Sequence, residues 1–160
     1  MRRALLLAAL VLLAGCGFKL RGTAEVPFQT LYIPGAIGGI ALDLKRNIQA
    51  GTDARVVDDA QQAEAILEFT EEAREKDILS LTGTGRVREF QLRYRVGFRV
   101  HDGRGRQYVP QSSIQLTRDV TFNDSEVLAK EAEEQLLFRD MQSDMVQQIM
   151  RRLAAAQKPR

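Results

Sequence analysis

From Glu89 to Val100 the chain alternates without a break: Phe90, Leu92, Tyr94, Val96, Phe98 and Val100 fall on one parity, and Glu89, Gln91, Arg93, Arg95, Gly97 and Arg99 on the other. A period of two over twelve residues cannot place its apolar set on one side of a helix, so this stretch is a strand with one face in a core and the other wet or covered by a partner. Its flanks predict antiparallel neighbours. Thr82-Gly83-Thr84-Gly85 and Asp102-Gly103-Arg104-Gly105 read as turns. Before the first turn, Ala65 to Leu81 carries Leu67, Phe69, Ala73, Leu79 and Leu81 on one parity, with Glu68, Thr70 and Glu72 opposite. The charged middle of that stretch, Glu71 to Asp77, predicts a bulge or bend. After the second turn, Gln107 to Phe122 returns with Ile114, Leu116, Val120 and Phe122 on a shared parity. Pro110 has no N–H for a ladder, so this strand begins at an edge or in a loop.

Two segments switch to a helical period. Ile37, Ile40, Ala41, Leu44 and Ile48 precede Gly51, which predicts a helix from about Gly38 to Ala50. Asn123-Asp124-Ser125-Glu126 offers capping side chains for a final helix reaching roughly Ala155. Its stripe is Leu128, Ala132, Leu136, Phe138, Met141, Met145, Ile149 and Leu153, read as a packing seam, with Lys130, Glu133, Glu134, Gln142 and Arg151 outside. Phe28 to Ile33 reads as a first strand, stopped by Pro34-Gly35, and Ala54 to Val57 as a short strand or an extended connector. The expected fold class is therefore α+β: a two-layer sandwich with a mainly antiparallel (mixed) four-stranded sheet and two α-helices packed on one face.

The N-terminus carries a separate message. Met1-Arg2-Arg3 is a basic start, Ala4 to Leu13 is apolar, and Leu13-Ala14-Gly15 leads into Cys16, the one cysteine. Ten apolar residues are too few to span a bilayer, for which a helix needs about 20. The segment reads as an export signal over residues 1–15, with Cys16 as a lipid-attachment site bearing a diacylglycerol thioether and an N-acyl group. No other cofactor is expected. Residues 16–27 then form a tether, 28–156 a single α+β domain, and 157–160 a short tail. Gly17 stands where an aspartate would signal inner-membrane retention in enteric bacteria, so the expected location is the outer membrane, lipid-anchored, on the periplasmic side or within a barrel lumen. Removing Arg2 and Arg3 with the signal leaves 21 Lys+Arg against 21 Asp+Glu, and a neutral exported chain gives no case for nucleic acid.

Catalytic chemistry finds no support in the residues. His101 is the one histidine and sits beside a turn, Glu71 and Glu72 point to opposite faces of a strand, and no metal-ligand cluster or phosphate loop appears. No catalytic and no metal residue is assigned.

Cys16-Gly17-Phe18-Lys19-Leu20-Arg21-Gly22 resembles the start of the lipopolysaccharide-assembly lipoprotein (LptE) family, in which a Gly-aromatic-x-Leu-Arg string follows the lipidated cysteine. Phe122, Leu128-Ala129-Lys130, Glu134 and Asp140-Met141 are similar to that family's pattern at the start of the last helix. The resemblance implies a non-catalytic plug and assembly partner of the β-barrel LptD, in a one-to-one complex that helps lipopolysaccharide reach the cell surface. It carries over Lys130 as a lipopolysaccharide contact. It departs at the first hairpin, where the family can place a basic residue at the turn; here Arg86 and Arg88 follow the turn and are the substitutes. Arg93, Arg95 and Arg99, on the polar face of the central strand, are the candidates for facing a barrel lumen. The alternative is a free-standing periplasmic lipoprotein binding a small molecule or envelope glycan, which requires a deep pocket between helices and sheet.

Overall fold

The computed structural model describes residues 24–158. The signal segment, Cys16 and the first part of the tether, and the last two residues of the tail, lie outside the described residues. The elements run β1 (Thr30–Tyr32), α1 (Gly39–Gly51), β2 (Arg55–Val57), β3 (Ala65–Leu81), β4 (Val87–His101), β5 (Gln107–Thr121) and α2 (Val127–Ala154), with single 3-10 turns at Ala60–Gln62 and Asp124–Glu126. One sheet has the order β2-β1-β3-β4-β5. It has five strands where the sequence predicts four, because Arg55–Val57 pairs in parallel with all of β1. β1 is also parallel to β3, and β3, β4 and β5 are antiparallel.

β1 meets β3 only at Leu31↔Ala65 and Tyr32↔Ile66. From Leu67 onward β3 has no strand on that side, so the sheet narrows from five strands to three. At the wide end, the base, both helices cover the sheet and enclose the core: Leu31, Leu44, Leu67, Phe98, Met145 and Ile149 are all fully buried or nearly so. Ala24 bridges Thr52 here, so the end of the tether is joined to the base. At the narrow end, the tip, β3 and β4 close on the Thr82–Gly85 turn, and β5 leads into α2.

A bulge separates the two ends. Phe69 pairs with Phe98 and Glu71 with Gly97, leaving Thr70 without a partner. An extra residue reverses the facing of everything after it. Leu67 and Phe69 share the helix face with Val100 and Phe98, but beyond the bulge the even-numbered Glu72, Arg74, Lys76 and Ile78 take that face, opposite Val96, Tyr94, Leu92 and Phe90. Ala73, expected on the core parity, is therefore turned to the open face. Gly97 is what admits the bulge, since a Cβ there would lie 2.7 Å from Thr70 Oγ1 and 3.2 Å from Glu71 Cβ. A second shift leaves Leu79 between Ile78↔Phe90 and Ser80↔Glu89. Pro110 is accommodated on the edge strand β5, at the irregularity between Phe98↔Ser112 and Val100↔Val109.

The stripe of α2 packs along only part of its length. Met141, Met145, Ile149 and Leu153 are buried and Phe138 is partly buried against the core, but Leu128 is 82% and Leu136 51% exposed. α1 is 13 residues long. It meets α2 where Gln142 donates to Asp43 (2.6 Å) and Gln147 to Asn47 (3.2 Å), so the forward half of α2 has no helix beside it. Asn123 accepts from Ser125 N–H and caps the short 3-10 turn, whereas α2 starts after Glu126 with no side-chain cap. Gln142 and Glu134, expected outside, stand at the helix–sheet boundary: Arg74 donates to Gln142 and Lys76 to Glu134.

Candidate functional site

The open face of the sheet is a ladder of charges. Arg93 lies 2.8 Å from Glu75 and 3.1 Å from Asp77, and Arg95 3.0 Å from Glu71 and 3.6 Å from Glu75. Arg99 Nε donates to Glu68 at 2.7 Å. Gln115 accepts from Arg95, and Asp119 from Gln91. The three arginines thus lie on the expected face, but each is engaged by carboxylates of β3: Arg99 by Glu68, before the bulge, and Arg93 and Arg95 by Glu71, Glu75 and Asp77, which the bulge brings to this side. Fixed guanidiniums and carboxylates give a flat, hydrogen-bonding face whose side chains are already ordered. The Arg99 hydrogen bond is the main cause holding the Glu68 carboxyl below its ordinary range, against its partial burial. His101 closes the ladder: its Nδ1 accepts from Gly103 N–H at 3.0 Å, and its Nε2 stands 3.3 Å from Glu68.

The tip gathers the other basic candidates. Gly85 N–H donates to Thr82 O and Thr82 N–H to Arg86 O, with Gly85 in the left-handed region at φ +79°. Arg86 follows, three-quarters exposed and 3.8 Å from Asp124. The Arg88 carbonyl accepts from Phe122 N–H at 2.8 Å. Lys130 reaches back from α2, its Nζ 3.2 Å from Thr121 Oγ1 and 2.8 Å from Glu133. Three residues separated by up to 44 positions in sequence therefore converge on one end. Beneath them Phe90 and Phe122 meet edge to face at 5.2 Å, with Lys76 4.4 Å over the Phe90 ring.

Sequence reasoning missed the apolar part of this end. Ile78, Leu79, Leu81, Val127, Leu128 and Leu136 are exposed here, and among the described residues only Ile37 is a comparably exposed large hydrophobic elsewhere. A period reveals which residues share a face; it does not reveal whether anything lies opposite. The one available signal is length, since a 28-residue helix outruns a 13-residue neighbour.

Hollows of about 220 Å³, lined by Arg99, His101 and Gln107, and about 230 Å³, lined by Val26, Phe28 and Asp53, lie outside the space between helices and sheet. Both are below the usual size for a small-molecule site. Among the described residues no group of three His, Cys, Asp or Glu is placed to hold a metal ion, and no helix is long and apolar enough to cross a membrane.

Comparison with known proteins decides the family. A family model described as "LptE: Lipopolysaccharide-assembly" matches residues 28–153. This chain belongs to the LptE family. It is 28% identical over 149 residues to the LPS-assembly lipoprotein LptE of Photorhabdus laumondii, covering 91% of this chain and 80% of that one. The protein of the same name from Pectobacterium atrosepticum is 29% identical over 150 residues, with the same coverage. Among solved structures, the solution structure of lipoprotein B from Nitrosomonas europaea is 48% identical, with a TM-score of 0.74 over 87% of this chain and 91% of that one. The rare lipoprotein B of Shewanella oneidensis is 25% identical, with a TM-score of 0.67 over 79% and 92%. The LptE match spans both the charged open face and the basic tip.

Proposed function

We infer that this chain is a lipopolysaccharide-assembly lipoprotein of the outer membrane, non-catalytic, held by a lipidated Cys16, and paired one-to-one with an LptD-like β-barrel. The observation that carries the reading is the family match over residues 28–153. The tip supports it from chemistry. Lipid A phosphates and core sugars present anionic and hydroxyl oxygens, and Arg86, Arg88 and Lys130 stand together with two forked guanidiniums and one compact ammonium to meet them. The partners of Arg86 and Lys130 are exposed carboxylates and a hydroxyl, which a phosphate can replace at small cost. The open face supports a lumenal position, because Arg93, Arg95 and Arg99 with their carboxylates present a row of hydrogen-bonding groups, as the polar interior of a barrel requires. Ala24, the first described residue of the tether, bridges Thr52 at the base, the end opposite the basic cluster.

The test is to tag the C-terminus, extract outer membranes in mild detergent and identify stoichiometric partners by mass. One large β-barrel at about one-to-one is expected; a clean monomer overturns the partnership. Cys16→Ala is expected to abolish palmitate labelling, and a variant that still labels removes the lipidation assignment. Charge reversal at Arg86 and Lys130 together is expected to weaken lipopolysaccharide binding without moving thermal unfolding, and unchanged affinity removes both from the site.

A further inference from the structure

We propose that the tip carries its own competitor: Glu133 and Asp124 are tethered counter-ions that occupy Lys130 and Arg86 at rest, swing away when a lipopolysaccharide phosphate binds, and return when it leaves. This rests on the lipopolysaccharide reading above and adds to it how the same site is kept weak enough to release its ligand.

The three basic residues of the tip are not equally available. Lys130 reaches from α2 to the end of β5, and only 18% of its side chain is exposed. Its ammonium has three protons to give; one goes to Thr121 Oγ1 at 3.2 Å and one to Glu133 at 2.8 Å. Glu133 follows at i+3 on the same helix, so helix geometry alone keeps it beside Lys130. Arg86 faces Asp124 at 3.8 Å, a looser pair with both side chains more than half exposed. Arg88, exposed at the start of β4, has no ion pair among the described residues. One cation is therefore open, one loosely covered and one held.

A phosphate cannot simply add to this arrangement. To reach the remaining proton of Lys130 it would stand beside the Glu133 carboxylate, anion against anion. Thr121 carries no charge and can stay, whereas Glu133 must yield; with 45% of its side chain already in solvent, it rehydrates readily when displaced. Because the carboxylates belong to the chain, they compete at a local concentration that dilution does not lower. Exposed pairs of this kind are individually weak, so the site is attenuated and not shut. Attenuation suits a protein that passes its ligand on, since the carboxylate that yields to an arriving phosphate also takes back the cation as the phosphate departs.

The experiment uses the full-length chain exchanged from detergent into amphipol and immobilised by its C-terminal tag, with lipopolysaccharide as the probe. Glu133→Gln with Asp124→Asn keeps the side-chain shapes and removes both charges. This variant is expected to bind about three- to tenfold tighter than wild type, the effect of losing two exposed ion pairs, and to release more slowly. Both carboxylates are exposed, so folding is not at stake. Glu131→Gln makes the same charge change at an exposed residue next to Lys130 in sequence, and is expected to leave affinity within about twofold. In a Lys130→Gln background, Glu133→Gln is expected to gain nothing, because its effect passes through the ammonium. Unchanged or weaker binding by the carboxylate variant overturns the proposal. An equal gain from Glu131→Gln, or a gain that persists without Lys130, also overturns it by assigning the effect to net charge. Lys130→Gln with Arg86→Gln tells which reading has failed. If that pair weakens binding while the carboxylate variant does not tighten it, the cations keep their place in the site and only the competitor falls. If that pair changes nothing, the lipopolysaccharide site is removed from the tip, and the competitor with it.

Discussion

The base and the tip of this molecule are built from the same three long strands and the same helix, yet they solve different problems. At the base five strands and two helices surround fully buried Leu44, Leu67, Phe98, Met145 and Ile149. At the tip three strands and half a helix leave Leu128, Leu136 and Ile78 in solvent, and the helix rests on the sheet partly through charges, Lys76 on Glu134 and Arg74 on Gln142. The change falls at the Thr70 bulge, where β3 turns its charged residues toward the helix and its alternate carboxylates toward the arginines of the open face. Stability is thereby concentrated at the end that carries the tether, and exposed apolar and basic side chains at the other. A strand 17 residues long separates them by roughly 50 Å.

The largest expected effect tests that division directly. Phe98→Ala, at the base, should cost about 3–5 kcal/mol, as deletion of a buried aromatic ring does. Leu128→Ala should stay within about 0.5 kcal/mol. Urea denaturation of both variants checks this, and comparable costs would dissolve the distinction. Next in size is the bulge. Gly97→Ala should cost about 1–3 kcal/mol, because its methyl would overlap Thr70 Oγ1 at 2.7 Å. A variant that melts with the wild type would mean that the bulge yields freely and is no boundary between the halves.

Acid should act on the base. Glu68 is lowered chiefly by the Arg99 hydrogen bond, and Glu64 chiefly by accepting from Gln29 N–H, with Lys158 second. Both start from about 4.5. A carboxyl with a depressed folded-state pKa contributes stability that is present in full above its unfolded value and lost as pH falls through the folded one. Urea midpoints should therefore hold down to about pH 5 and drop below 4.5, and Glu68→Gln should flatten that drop. An identical pH profile for the variant would remove Glu68 from the account. The smallest effect belongs to the polar seam. Glu134→Gln breaks a half-exposed pair with Lys76 and should cost no more than about 1 kcal/mol. Its signature is local: amides of the forward half of α2 should exchange faster while those near Met145 do not change. Faster exchange along the whole helix would show that the two halves open as one.

Much of this architecture could be read before any coordinates. β4 was plain from its alternation, both turns stood at their glycines, and α1 matched its predicted span within a residue. The bulge expected within the charged run Glu71 to Asp77 lies just before it, at Thr70, and the run itself pairs regularly. The consequence of the bulge was not legible, because parity continues on paper through Thr70 and one unpaired residue reverses it in space. For the same reason Ala73 was misplaced, and the carboxylate partners of Arg93 and Arg95 went unseen. The family resemblance points to Lys130 at a helix start and to Arg86 and Arg88 after a turn; only the antiparallel return of β5 brings these segments to one end.

The amino-acid sequence by itself determined which stretches are strands and helices, which parity of β4 is core, and which family the chain resembles. These depend on local period and on short strings, and both are properties of neighbours along the chain. The tertiary structure alone decided which apolar residues find a partner. Leu128 and Leu153 belong to one stripe, yet Leu153 is covered and Leu128 is not, because burial depends on what the rest of the chain places opposite, and α1, parallel to α2, begins too far back to cover the tip.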